Sequence, residues 1–417
     1  PGTIGIGHVR YPTAGGNSDS EVQPFYVNAP YGICLGHNGN LTNSDALRRR
    51  VEDLGHELRA TTDSELITAL LAHEPGSLLD AVCNVMPLLL TITLFLTVDL
   101  ILFGAFTRLT DSGLGCPDWP GCYGAATPIG AAQHIDAAQA AMPSGPVTTG
   151  KAWIEMVHRY LASGVGALIL VLCIMAWRQR QARLLSTIAL IWVCIQGAFG
   201  ALTVTMKLFP AIVTMHLLGA MILLALLRTM HVQLVDQTNN RTSVSVPPGL
   251  WLPAVVLFAL IWLQMALGAW VSTNYAVLAC QDFPTCQGVW WPRMNFSAGF
   301  EIWRPLGQDG LGSAIPFEAL TAIHYTHRLV AYIVLALAVW LGWRWRQHAT
   351  LRVAGLLLWV LSGWQFVTGV SNVVFDWPLL AAVSHTGGAA GFVLVLTGVL
   401  VRFSRSDAAS AVKVQGS

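Results

Sequence analysis

Residues 151–177 read KAWIEMVHRYLASGVGALILVLCIMAW, and residues 320–343 read LTAIHYTHRLVAYIVLALAVWLGW. Each run exceeds the roughly 20 apolar residues needed to cross a bilayer. Each also carries a His-Arg pair, His158-Arg159 in the first and His327-Arg328 in the second, 169 residues downstream. The same offset turns Gln196 into Gln365, Gly200 into Gly369, His216 into His385 and Gly219 into Gly388. Upstream the offset is 164: Gly104-Ala105 returns as Gly268-Ala269, and Cys116-Pro-Asp-Trp-Pro-Gly-Cys122 as Cys280-Gln-Asp-Phe-Pro-Thr-Cys286. A constant offset over several segments marks a duplicated structural unit.

Charged residues make up 11% of the chain, against roughly 25% in soluble domains. Eight membrane-length apolar runs span 86–107, 151–177, 184–206, 210–235, 250–273, 320–343, 351–371 and 378–402. The expected fold is an all-α polytopic membrane protein, its eight helices forming two tandem four-helix bundles. The first half covers 83–235, a linker 236–249, the second half 250–402 and a tail 403–417. Basic residues cluster in alternate connections (Arg178, Arg180 and Arg183; Arg228 and Arg241; Arg344, Arg346 and Arg352) and in the tail (Arg402, Arg405, Lys413). Positive residues stay on the cytoplasmic side, which places both termini there and the long loops after the first and fifth helices outside. A net charge of +1 gives no reason to invoke nucleic acid. There is no cleavable secretory signal; the first span reads as a membrane helix.

Four of the eight cysteines lie in the outer loops as Cys-x5-Cys pairs, Cys116/Cys122 and Cys280/Cys286, while Cys34, Cys83, Cys173 and Cys194 lie elsewhere. That segregation favours disulfides in an oxidising compartment. A metal site or free thiols are the alternatives, although the spacing is loose for zinc and no His accompanies either pair. The pairs either tie a loop over a site or, if exposed, act as a reducible couple.

Ionisable groups inside membrane helices are costly and usually functional. His158, His216, His327 and His385 each lie a few residues in from the outer end of alternate helices, which at 1.5 Å per residue sets all four at about 10 Å depth. His158 then faces His216 across one bundle and His327 faces His385 across the other, as bis-histidine heme ligation requires. The bland reading, a hydrogen bond from each histidine to a neighbouring helix, explains one such residue better than four at one depth. Gly219, Gly387, Gly388 and Gly391 follow the histidines and would admit a flat macrocycle. Glu155 is replaced at its repeat position by His324. It precedes His158 by three residues, on the same helix face, where a carboxylate accepts a proton or orients a water. The bland alternative is an acid solvated at the helix mouth. His324 reads as a spare ligand or a propionate partner. Arg159 and Arg328 either pair heme propionates or snorkel to headgroups.

The words Arg108-Leu-Thr-Asp-Ser-Gly-Leu-Gly-Cys-Pro-Asp-Trp-Pro-Gly-Cys122, Glu155-Met-Val-His-Arg159, Met215-His-Leu-Leu-Gly219, His324-Tyr-Thr-His-Arg328 and Ser384-His-Thr-Gly-Gly388 resemble heme A synthase, a cytochrome oxidase assembly family, and the likeness covers 86–402. It implies an oxidoreductase that converts the C8 methyl of heme O to the formyl of heme A, by two hydroxylations and a dehydration with water as oxygen source. By that resemblance His327 and His385 hold heme b, His158 and His216 take heme O, Glu155 assists catalysis, and Cys116 and Cys122 are the family's outer-loop pair. The implied partners are heme O, heme O synthase, the oxidase assembly machinery and the lipid of a bacterial inner membrane. A homo-oligomer is left open, as is the electron acceptor. A di-heme b electron carrier and a heme chaperone are the competing readings, neither of which gives Glu155 chemistry.

Residues 1–82 read differently, as a soluble, partial α+β segment. Gly5-Ile-Gly-His-Val-Arg-Tyr-Pro-Thr13, Gln23-Pro-Phe-Tyr26, His37-Asn-Gly-Asn40 and Thr62-Asp-Ser-Glu65 resemble the middle of the glutaminase domain of amidophosphoribosyltransferase, a class II glutamine amidotransferase. That resemblance implies that Arg10 and Asp63 hold glutamine, while Asn38 and Gly39 form an oxyanion hole. The family's nucleophile is an N-terminal cysteine, whereas this chain begins at Pro1 and Cys34 is internal, so no glutaminase activity is expected. Met86 opens the first apolar span as a start codon would. The segment is expected to be an inactive remnant or fusion, with a folded regulatory module as the alternative.

Overall fold

A computed structural model describes residues 25–27, 33–35, 44–53, 55, 63–73, 86–238 and 249–415. The chain divides into two compact units, Pro1–Leu88 and Leu89–Ser417. In the first, strands β1 (Phe25–Val27) and β2 (Ile33–Leu35) pair antiparallel with Phe25 opposite Leu35. Helices α1 (Ser44–Asp53) and α2 (Asp63–His73) enclose a small core of Val51, Leu66 and Ala69. Arg10, Asn38 and Gly39 lie outside the described residues, and Asp63 opens α2.

The second unit is helical and spans the membrane. Among the described residues, eight helices are long and apolar enough to cross a bilayer. In chain order they are α3 (Met86–Leu109), α5 (Thr149–Gln179), α6 (Arg183–Thr205), α7 (Pro210–Thr238), α8 (Trp251–Thr273), α10 (Phe317–Arg346), α11 (Arg352–Val374) and α12 (Leu379–Gln415). Short helices α4 (Ala132–Ala141) and α9 (Phe296–Gly299) lie in the two long loops. The eight predicted runs coincide with these spans. Leu170, Ile333 and Val367 are among many large apolar side chains that point outward and are about half exposed or more. On a soluble protein such a surface would drive aggregation; here it meets hydrocarbon, and the chain is a multi-pass membrane protein.

The duplication holds in three dimensions. Helix α5 buries Val165, Ile169, Leu172 and Ala176, the stripe of a helix with one packed face. Helix α10 buries Val334, Ala338, Leu341 and Trp345, which are the same four positions 169 residues on. Ala176 has become Trp345 while Ile169 has become Ala338, so side-chain volume is redistributed along a conserved face. The halves also meet through their own equivalents. Arg108 donates to the Ser272 carbonyl at 2.6 Å, and Tyr275 donates to Asp111 at 2.6 Å. In each contact the partners are repeat mates, 164 apart. A residue that touches its own equivalent lies beside the axis relating the copies, so that axis runs between the C-terminal ends of α3 and α8. At the other end, Arg402 on α12 forms a bidentate pair with Asp236 on α7, both bonds at 3.1 Å.

The two long loops, after α3 and α8, repeat as well. Each Cys-x5-Cys pair forms a disulfide, Cys116–Cys122 and Cys280–Cys286. All four cysteines are 0% exposed, which favours the loop-tying reading over the alternative of an exposed, reducible couple. Within each loop an aspartate carboxylate accepts from two backbone N–H groups. Asp118 takes those of Tyr123 (2.6 Å) and Gly124 (2.7 Å), and Asp282 those of Gln287 (2.7 Å) and Gly288 (3.0 Å). Both N–H pairs come from turns with two consecutive left-handed residues, a conformation that places glycine second.

The arginines that follow the histidines hold these loops. Arg159 Nη1 donates to the carbonyls of Asp118, Pro120 and Gly121 at 3.0, 3.2 and 2.5 Å. Arg328 donates to the carbonyls of Asp282, Thr285 and Cys280 at 2.8, 2.9 and 2.8 Å. Both guanidiniums are committed to loop carbonyls, neither snorkelling to headgroups nor free for a propionate. Arg328→Leu leaves those three carbonyls without a donor, and unsatisfied buried acceptors cost about 1–3 kcal/mol each. The expected result is a lower thermal unfolding midpoint in detergent, with a loss on the order of 3 kcal/mol; Arg328→Lys should fall between. An unchanged midpoint for the leucine variant would show that the clamp contributes nothing.

Candidate functional site

The four histidines are carried on α5, α7, α10 and α12 at repeat-related positions, and in each half the two imidazoles lie close enough to interact electrostatically, His158 with His216 and His327 with His385. What seats each ring is a glycine on a neighbouring helix. A methyl group on Gly104 of α3 would sit 2.9 Å from His158 Nε2, and one on Gly268 of α8 would sit 3.0 Å from His327 Cε1. Gly200 of α6 stands in the same way 3.5 Å from His216, and Gly369 of α11 3.3 Å from His385. The contacts at Gly104, Gly268 and Gly369 are tighter than ordinary van der Waals spacing, so a side chain there would press on the imidazole, while the one at Gly200 is ordinary contact. The glycines expected to open space for a macrocycle do something else. Gly219 and Gly388 are filled by Gln196 and Gln365, Gly387 faces Leu102, and Gly391 faces Leu361. The cradle glycines were visible as repeat markers, but nothing local assigns them to a histidine on a neighbouring helix.

Hydrogen bonding separates the two pairs. In the second half Gln264 Nε2 lies 3.0 Å from His327 Nδ1, and Thr368 Oγ1 lies 2.8 Å from His385 Nδ1. In the first half His216 Nδ1 is buried with no hydrogen-bond partner, as are both polar atoms of Gln196. Among the described residues no cluster of three or more His, Cys, Asp or Glu side chains could share a metal ion. Two neighbouring imidazoles without a third protein ligand do not complete a tetrahedral site. They would suit a metal whose remaining ligands come from a bound macrocycle.

Glu155 lies a turn outward of His158 and is buried. One oxygen accepts from Arg159 Nη2 at 2.5 Å and the other from the Cys116 N–H at 2.8 Å, so the carboxylate ties α5 to the disulfide loop and is not an acid solvated at the helix mouth. His324 fills the corresponding place. Its Nδ1 donates to the Ala276 carbonyl at 3.1 Å and its Nε2 accepts from Arg328 Nε at 3.1 Å. With both nitrogens engaged it is not a spare ligand; it is the second half's version of the same tie.

The sequence pattern of COX15-CtaA, described as cytochrome oxidase assembly protein, matches residues 87–397, and that of a glutamine amidotransferase domain matches residues 8–84. A protein named heme A synthase from Shewanella oneidensis is 39% identical over 316 residues, which cover 76% of this chain and 95% of that protein. The heme A synthase of Halalkalibacterium halodurans is 26% identical over 305 residues, 71% of this chain and 89% of that protein. Amidophosphoribosyltransferase from Escherichia coli is 57% identical over 74 residues, 18% of this chain but only 15% of that protein. Given a match that runs through all eight membrane helices, both histidine pairs and both loops, this chain belongs to the COX15-CtaA family of cytochrome oxidase assembly proteins.

Proposed function

We propose that the chain is a heme A synthase, oxidising the C8 methyl group of heme O to a formyl group. The observation that carries the reading is a buried imidazole pair built twice, beside Glu155–Arg159 in one half and beside His324–Arg328 in the other. An electron carrier has no need of that divergence. His327 and His385 would hold a resident heme b, and His158 and His216 would take heme O. Bound heme iron supplies the redox steps. Converting methyl and water to formyl releases four protons and four electrons, so the site needs a proton acceptor near the substrate edge. Glu155 stands one turn from His158 and carries the only carboxylate of its helix, with Arg159 as counter-charge. The histidine and carboxylate thus divide the work: the imidazoles fix the macrocycle and Glu155 receives protons at its edge. The glutamine amidotransferase-like stretch has no assigned part in this chemistry. The membrane is the inner membrane of a bacterium, with both termini cytoplasmic and the disulfide loops outside, consistent with the basic residues at the α5–α6 and α10–α11 turns.

The full chain expressed in membranes with a heme O source should yield heme A on extraction and chromatography. Glu155→Gln, which keeps the Cys116 contact, should cut heme A by roughly 100-fold or more, as removal of a general base does, while leaving heme b in place. Heme O that stays unconverted in the wild type would reject the synthase reading in favour of an electron carrier or a heme chaperone. The cradle glycines separate the halves. Gly104→Ala pushes on His158 and should lower heme A output by about tenfold through misplacement of the substrate without loss of heme b. Gly268→Ala pushes on His327 and should lower heme b content itself, read from the absorbance of the purified protein.

A further inference from the structure

The duplication breaks at the two side chains that touch the ring nitrogens of the second pair. Gln264 and Thr368 reach His327 and His385. By the offsets that relate the halves, their mates are Leu100 and Phe199. Neither can hydrogen-bond an imidazole, and His216 Nδ1, which sits where His385 receives its bond, has no partner.

Thr368 decides a tautomer. Its hydroxyl donates to the Trp364 carbonyl at 2.7 Å, the bond that a helical threonine makes one turn back. With that proton committed, Oγ1 meets His385 as an acceptor, so Nδ1 carries the ring hydrogen and Nε2 keeps its lone pair. A metal-ligating imidazole needs that arrangement. Gln264 serves the opposite ring. Its Nε2 also donates to the His327 carbonyl at 3.1 Å, while its Oε1 is buried without a partner. A half-turn of the amide would set Oε1 on His327 Nδ1–H and give up the bond to the carbonyl; in either orientation Gln264 holds the ring.

We infer that Gln264 and Thr368 are positioning residues that lock His327 and His385 for a resident heme, and that Leu100 and Phe199 leave His158 and His216 unanchored so that substrate and product exchange. The inference rests on the function proposed above. A hydrogen bond at Nδ1 fixes the ring and raises its basicity, which holds a permanent group and would trap a product that must leave. The duplicated scaffold needs only these positions to differ for one copy to retain and the other to release.

The test uses the full chain, purified in detergent with its heme. Heme b per chain, its midpoint potential and its rate of transfer to excess apomyoglobin are measured. Thr368→Val and Gln264→Leu should each speed loss of the resident heme by about 10–100-fold, the usual effect of removing an outer partner of a metal ligand. Thr368→Val should also shift its potential positive, because ferric iron loses a more basic ligand, and Thr368→Ser should restore both. Wild-type retention and potential in the two apolar variants would overturn the inference. Should valine at 368 unfold the chain, Phe199→Thr asks the same question in reverse. It should slow transfer of heme from the first half, and an unchanged rate would overturn the inference. His327→Ala and His385→Ala tell this failure from the other: if neither lowers heme b, the assignment of heme to this half fails instead.

Discussion

An imidazole or guanidinium inside hydrocarbon has no water to turn to, so its partners must come from the protein. Most of the architecture above the membrane midplane follows from that constraint. Arg159 and Arg328 reach the depth of the histidines and fold a loop down over themselves to find acceptors, three carbonyls each. The loop in turn needs a shape that turns carbonyls inward, which the aspartate-anchored turn and the disulfide enforce. The two disulfide loops are therefore fastened by the residue next to each of His158 and His327.

Duplication then gives two such chambers, joined where equivalent residues meet at the axis. The contacts of Arg108 with Ser272 and of Asp111 with Tyr275 show how little this seam was optimised for symmetry. One half contributes the charged residues and the other a carbonyl and a phenol. The function proposed above requires divergence across the axis, since identical chambers would bind one heme equally well and have no reason to assign one as cofactor.

Much of this was legible in the sequence. Hydropathy located every span, because hydrocarbon demands about 20 apolar residues whatever the fold, and the repeat paired the histidines. The loop clamp was not legible. Whether Arg159 snorkels, meets a propionate or binds carbonyls depends on where residues 116–122 fold, which no local pattern states. The burial of the disulfides went unseen for the same reason. The glycines were misread because a helix seats its neighbour's side chain, not its own: Gly219 answers to Gln196 on α6, and His216 to Gly200. Gln264 and Thr368 were within reach, since aligning the copies shows polar residues facing Leu100 and Phe199, but the repeat drew attention to what was kept.

What was exchanged at positions 155 and 324 makes the point most sharply. Glu155 accepts an N–H of its loop, whereas His324 donates to a carbonyl of its own loop, and each also meets the arginine one turn on. The tie survives with its polarity reversed. Structure alone therefore does not require a carboxylate at 155, because a neutral imidazole fastens the equivalent loop. The acid differs from its mate in charge and proton affinity and hardly at all in architecture. On the function proposed above, the buried charge one turn from a metal-ligand candidate is what Glu155 adds to that structural duty.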